Sequence, residues 1–214
     1  MKILITGAQG QVGSELTTIA NQRNYEVIAT TRSKLDISDS NNVNRYISKV
    51  RPDIVINAAA YTAVDKAEEE QDIAYAINHD GAENLAIACS KENIPLIHIS
   101  TDYVFDGSKN SAYSEDDKVT PLGVYGASKW QGEEGIRSHL PQHIILRVAW
   151  VFGANGNNFV KTMLRLAAER NELNIVADQF GGPTSAKSIA KTLLQLVDIY
   201  SKDSSKINGN FAKK

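Results

Sequence analysis

A tyrosine and a lysine four residues apart, Tyr125 and Lys129 in "YGASKWQGEE", fall on one face of a helix with a 3.6-residue period. A free phenol, with a pKa near ~10, is a poor proton carrier at neutral pH, and a neighbouring ammonium favours its ionised form. So assisted, Tyr125 can hand a proton to a carbonyl oxygen, with Lys129 tuning the phenol and a third hydroxyl orienting the carbonyl. Such a hydroxyl stands at the end of the apolar run "IPLIHIS", where Ser100 is followed by Thr101. Tyr-x-x-x-Lys also arises by chance in many helices, so the pair gains meaning only from its company.

That company begins at the amino terminus. "MKILITGAQGQVGSEL" sets Gly7, Gly10 and Gly13, with Gln11 and Val12 between them, directly after an apolar run and at the mouth of a helix. The first glycine permits a tight turn, the second lets backbone amides approach a pyrophosphate, and the third lets helix pack closely on strand. A dinucleotide is the ligand this pattern fits, the alternative being a plain strand-to-helix turn. Where an acidic residue would hold the ribose 2′-hydroxyl of NAD, the second run ends "IATTRS", offering Thr31 and Arg32. A guanidinium and a hydroxyl suit a 2′-phosphate, so NADPH is expected, with NADH also open. Arg32 as a merely exposed loop residue is the competing reading. Asp36, with Ile37 beside it, is placed to meet the adenine edge, or else forms a local turn or cap. Asn57 and the small residues Ala58, Ala59 and Ala60 end the third run, where a ribose could lie against the backbone or where packing is simply tight.

The elements that must position these groups follow an α/β rhythm. Apolar runs "KILIT", "YEVIAT", "DIVINAAA", "IPLIHIS" and "HIILRVAW" alternate with helices expected from about Gln11, from about Asp39, over "AYAINHDGAENLAIACSKEN" and around Tyr125. Strands apolar on both faces and separated by helices predict a doubly wound, mostly parallel Rossmann-like sheet. The long polar segment Asp106 to Pro121 precedes the tyrosine and reads as a functional loop. After Trp150 a helix near Asn158 to Asn171, a short strand "LNIVA" and a helix near Ser185 to Tyr200 are expected. The expected division is a nucleotide-binding domain over 1–150 and a small, partial substrate lobe over 151–214.

A net charge of −2 without any lysine-arginine block argues against nucleic acid and for a small-molecule partner. The one cysteine, Cys89, sits in an apolar run and reads as a buried thiol, so no disulfide framework exists. "MKILITG" is too short for a signal peptide or a membrane span, and a reduced, cytoplasmic setting is expected. His79, His98, His139 and His143 show no ligand spacing, so no metal is expected.

Taken together, "GAQGQVG", "NAAA", "STDYVF" and "YGASK" resemble the extended short-chain dehydrogenase/reductase superfamily. Within it, "NAAAYTAVDKAEEE", "ISTDYVFDG", "PLGVYGASKWQGE", "LRVAWVFG", "NNFVKTML" and "VADQFGGPTSA" are similar to the dTDP-4-dehydrorhamnose reductases. The resemblance implies a catalytic trio of Thr101, Tyr125 and Lys129. It also implies reduction of the 4-keto group of dTDP-4-dehydro-L-rhamnose by NADPH or NADH, giving dTDP-L-rhamnose for cell-surface polysaccharide. Asp102, Tyr103 and Trp150 match pocket and substrate positions, although Trp150 reads equally well as a core aromatic at a strand end. Glu15 matches a glutamate that some relatives use at a magnesium-bridged dimer contact, and a homodimer is the assembly the resemblance allows. Relatives continue for several tens of residues beyond Lys214, so an incomplete substrate lobe is expected; Ile207 and Asn208 begin like the next strand. Two other readings stay open. One is an epimerase or dehydratase of the superfamily, against which the single acid in "TDY" argues. The other is a non-catalytic regulatory module like the β subunit of methionine adenosyltransferase.

Overall fold

A computed structural model describes residues 1–203. The expectation attached to Ile207 and Asn208 lies outside the described residues.

Along the chain, β1 (Lys2–Thr6), α1 (Gln11–Gln22), β2 (Glu26–Ala29), α2 (Ser40–Val50) and β3 (Ile54–Asn57) come first. Short helices α3 (Val64–Ala67) and α4 (Gln71–Tyr75) follow, the latter running through a π-helical turn at Ala76–Asp80 into α5 (Gly81–Glu92). Then come β4 (Leu96–Thr101), a 3-10 turn at Asp102–Val104, α6 (Val124–His139), β5 (His143–Val148), β6 (Val151–Phe152), α7 (Phe159–Glu169), β7 (Thr184–Ser185) and α8 (Ala186–Lys202).

The five long strands form one parallel sheet in the order β2-β1-β3-β4-β5. The chain leaves β1 toward β2 and later returns to β3 on its other side. Right-handed crossovers therefore put α1 on one face and α2, α5 and α6 on the other. Strand parity shows this directly. Ile3, Ile5, Ile54, Ile56 and Ile97 pack with α1, whereas Leu4, Val55 and Leu96 pack with α2, α5 and α6. The reversal of strand order beside β1 leaves a crevice at the strands' carboxyl ends, where open α/β sheets bind their ligands.

One helix cannot cover the α1 face of five strands, and α8 supplies the rest. Ala186, Ile189, Ala190, Leu193, Leu194 and Val197 recur at helical spacing, all buried in the α1 core. Each of the larger ones stabilises the fold by about 1.5–3 kcal/mol. The expected boundary at residue 150 therefore does not divide the packing: α8 belongs to the sheet's core, Val151 packs against it, and 152–185 is the stretch outside it. There α7 is amphipathic yet has no buried residue, leaving Phe159, Val160 and Leu164 exposed. The strand expected at "LNIVA" does not form. Ile175 and Val176 are exposed, and the small second sheet is made instead by β6 and β7. An apolar run without a strand edge to pair with gains nothing from extending. Among the described residues no helix is long and apolar enough to cross a membrane.

Candidate active site

The turn after β1 is built around close backbone contacts. Gly7 adopts φ +64°, and a Cβ there would lie 2.5 Å from the Ala58 carbonyl oxygen. A Cβ on Gly13 would lie 2.2 Å from the Gly7 carbonyl oxygen, so α1 starts pressed against the turn. Gly13→Ala is therefore expected to cost about 1–3 kcal/mol by overpacking and to weaken dinucleotide binding with it. Thermal unfolding and an NADPH titration check this, and a variant matching the parent in both would refute the close-packing argument.

Beside the turn lies a cavity of about 220 Å³, lined by Gly7, Gly10, Arg32, Leu35, Asp36, Ile37, Ala58, Ala59, Ala60 and Ile77. Most of the expected cofactor positions thus meet around one space; Leu35 and Ile77 are additions. Val12 is buried in the core, Gly13 sits beneath the turn, Thr31 shares a hydrogen bond with Ser33, and the Gln11 amide oxygen accepts from Asn158 (2.9 Å). Asp36 uses its carboxylate locally, accepting from the Ser38 amide and hydroxyl and from Arg32 Nε (3.2 Å). Burial pushes its pKa up, but those bonds outweigh it and the net shift is downward. Of the two readings of Asp36, the local turn is the one its hydrogen bonds describe.

The second half of the site forms at the end of β4 and the start of α6. Glu68 accepts from the Val124 amide (2.8 Å) and so caps α6 from outside. Gly126 lets α6 lie on the 3-10 turn, where a Cβ would stand 2.1 Å from the Tyr103 carbonyl oxygen. In consequence the rings of Tyr103 and Tyr125 meet edge to face at 5.5 Å. Thr101 is buried; its hydroxyl donates to Asp102 Oδ1 (3.1 Å) and accepts from the Tyr103 amide (3.2 Å). Burial pushes the Tyr125 phenol up to about 12, Thr101 hydrogen bonding pulls it back, and the Asp102 and Tyr103 charges add to the rise.

Lys129 does not do what its spacing suggested. Its side chain is buried, with Nζ donating to the Ile99 carbonyl (2.7 Å) and lying 3.1 Å from His98 Nε2. The expected lowering of the phenol by an adjacent ammonium is therefore absent: the amine is drawn inward by partners on β4, and Tyr125 is governed by burial. Burial lowers Lys129 to about 8, with the Glu133 charge opposing. The His98 ring continues inward, Nδ1 lying 2.9 Å from Asn57 Nδ2, while Asn57 Oδ1 accepts from Thr6 Oγ1 (2.6 Å) and the Ala59 amide (3.0 Å). A polar ladder thus runs from the glycine turn to the lysine.

One turn further along α6, Glu133 is fully buried. It accepts from Ser100 Oγ (2.5 Å), from Arg147 Nε and Nη2 (2.9 and 2.6 Å) and from Arg137 Nη2 (2.8 Å). Both guanidinium groups lie over Trp130, and Arg147 also lies over Phe105. The sequence reading passed over Thr6, His98, Glu133 and Arg147. Strand parity carried a signal for the first two: each lies two positions after a core residue, Leu4 and Leu96, and so must face α6. Of the expected substrate positions, Asp102 is half-buried, with its pKa raised by burial, and Tyr103 is exposed. Trp150 is exposed, takes φ +46° and packs its indole on Gly181.

The family model described as RmlD substrate binding domain matches residues 1–211. A dTDP-4-dehydrorhamnose reductase of Aggregatibacter actinomycetemcomitans is 48% identical over 198 residues, 92% of this chain and 67% of that protein. Among solved structures, a dTDP-4-dehydrorhamnose reductase of Clostridium acetobutylicum superposes with TM-score 0.91 at 45% identity, covering 94% of this chain and 71% of that one. Another from Bacillus anthracis, in complex with NADP, gives 0.89 at 41%, covering 92% and 70%. The chain thus spans about two thirds of the length of these relatives.

Proposed function

Since the chain belongs to the RmlD substrate binding domain family, that of the dTDP-4-dehydrorhamnose reductases, we propose that it reduces the 4-keto group of dTDP-4-dehydro-L-rhamnose with NADPH, giving dTDP-L-rhamnose. The observation that carries the reading is that Thr101 and Tyr125 interact at the carboxyl end of β4, on the same edge of the parallel sheet as the glycine turn that Gly7 and Gly13 shape after β1.

The cradle fits a dinucleotide, because Gly7 and Gly13, where a Cβ would strike backbone, keep the turn tight and α1 close to it, beside a cavity lined by Gly7, Gly10, Arg32 and Ala58. Gly7, Gly10, Gln11, Val12 and Gly13 would hold the pyrophosphate. Thr31 and Arg32 would take a 2′-phosphate, Asp36 and Ile37 would border the adenine, and Ala58, Ala59 and Ala60 would lie along the backbone side. When bound, the nicotinamide supplies the hydride. Tyr125 holds its proton throughout the physiological range and gives it to the developing alkoxide, which is more basic even than a phenolate of pKa about 12. The Thr101 hydroxyl orients the carbonyl, and Asp102, Tyr103 and Trp150 border the sugar nucleotide. Tyr125 and Lys129 would border the nicotinamide end of the cofactor.

The stretch 151–185 would form this chain's share of the substrate lobe. A cytoplasmic setting suits a nucleotide-sugar substrate, and a homodimer is the assembly proposed.

Identification of the product tests the reading. Incubation with NADPH and dTDP-4-dehydro-L-rhamnose is expected to yield dTDP-L-rhamnose, and recovery of an epimerised or dehydrated sugar instead would overturn it. Cofactor choice gives a separate expectation. Arg32→Ala should weaken NADPH by about ten- to a hundredfold, the worth of a charge-assisted hydrogen bond, and NADH far less. Equal effects on the two cofactors, measured by fluorescence titration, would remove the 2′-phosphate assignment.

A further inference from the structure

We propose that Asn158 is a positioning residue that ties the start of α7 to the dinucleotide cradle, so that NADPH binding and the seating of α7 strengthen one another. The joint is a side-chain hydrogen bond between residues 147 positions apart: Asn158 Nδ2 donates to Gln11 Oε1 (2.9 Å). Gln11 is the first residue of α1 and stands between Gly10 and Gly13 of the glycine turn. Gly10, at the cap of that helix, has no side chain to offer, so the first amides of α1 are left open toward an anion.

Every polar atom of the Asn158 amide is committed. The atom facing the Lys161 amide at 3.0 Å is the oxygen, because a backbone N–H only donates. Nδ2 therefore carries the two protons, one directed at the Gly153 carbonyl (2.8 Å) and the other at Gln11. One side chain thus caps α7, closes the turn before it and holds both against α1. The surrounding turn is stiff. Gly156 takes φ +68°, and a Cβ there would lie 2.9 Å from Gln11 Cγ. Lys161 Nζ donates to the carbonyls of Ala154 (3.1 Å) and Gly156 (2.8 Å). Asn155 Nδ2 donates to Glu15 Oε1 (3.2 Å), one helical turn beyond Gln11.

Apolar packing does little to hold α7, which has no buried residue and leaves Phe159, Val160 and Leu164 exposed. A segment with so little burial opens at low cost, so its seat on α1 depends on the polar joints to Gln11 and Glu15. The Asn155 bond is exposed and the Asn158 bond partly buried, which makes the second the stronger. Coupling of this kind is reciprocal. A seated 153–169 steadies the first turn of α1 for a pyrophosphate, and a bound dinucleotide holds 153–169 in place by the same factor. The link rests on the reading of the glycine turn as the NADPH site and of α7 as part of the substrate side.

Fluorescence titration with NADPH and amide hydrogen exchange, both on the 214-residue chain without sugar nucleotide, test it. Asn158→Ser keeps an oxygen to cap α7 but is too short to reach Gln11. It is expected to weaken NADPH by about two- to tenfold, the worth of one neutral hydrogen bond. In the parent, NADPH should slow exchange over Phe159–Glu169 by the same factor, and in Asn158→Ser that slowing should vanish. Gln11→Ala separates the joint from a merely structural role. It removes the acceptor, so adding Asn158→Ser to it should change NADPH affinity by less than about twofold. Three results would overturn the proposal and leave the reductase reading intact: parental affinity in Asn158→Ser, equal weakening with and without Gln11, or no slowing over α7 in the parent. A parent chain that binds no NADPH would overturn both.

Discussion

Tyr125→Phe is expected to lower turnover by about 10²–10⁴-fold while leaving the NADPH dissociation constant within about twofold of the parent's. The substitution removes only the phenolic oxygen. The ring keeps its place against Tyr103, and α6 keeps its cap from Glu68. Its burial matters to the expectation: a phenol pushed up to about 12 is protonated at every working pH, so the variant loses a proton donor rather than a charge. Steady-state rates and a binding titration on the same preparations separate the two quantities. A phenylalanine variant at near-parental rate would show that another group, Asp102 or Thr101 being nearest, delivers the proton.

Glu133→Ala is expected to act on stability by about 3–5 kcal/mol, the usual cost of taking one member from a buried, hydrogen-bonded charge cluster. The carboxylate receives bonds from Ser100, Arg147 and Arg137, and Arg147 is itself largely buried, so truncation strands a guanidinium and a hydroxyl at once. The effect should depend on pH with a definite sign. Burial pushes the Glu133 pKa up, yet its partners bring the net shift below the ordinary value. Folding therefore favours the ionised form. Its contribution is complete above the unfolded glutamate pKa of about 4.3 and disappears as pH falls through the lower folded value. Denaturant unfolding at neutral and acid pH checks both points; a variant within about 1 kcal/mol of the parent at neutral pH would contradict the cluster's importance. Glu133→Gln, which keeps the shape and part of the hydrogen bonding, should cost less.

The glycine turn was legible because its physics is local. A left-handed Gly7 and a Gly13 with no room for a side chain follow from a tight turn that must run straight into a helix. The alternation of apolar runs and helices gave the sheet for a similar reason: Ile3 and Leu4, or Val55 and Ile56, announce two buried faces wherever they occur. What could not be read was set by partners far along the chain. The family spacing of Tyr125 and Lys129 said nothing about which way the amine turns, because His98 and the Ile99 carbonyl lie on another element some thirty residues away. Asp36 offered two uses, and only the positions of Ser38 and Arg32 show that its carboxylate makes the local turn while the residue still lines the cavity. α8 looked like lobe because it follows irregular chain, yet its apolar stripe answers the uncovered half of the sheet beside α1. "LNIVA" erred the other way, since a strand exists only where another strand offers it an edge.

The most direct test of the central claim is the absorbance of NADPH when the 214-residue chain is given dTDP-4-dehydro-L-rhamnose. The expected result is substrate-dependent loss of absorbance, one equivalent of NADPH for each sugar reduced. Undiminished absorbance, in a preparation shown to bind NADPH, would contradict the reductase reading for this chain and leave a dinucleotide-binding module in its place.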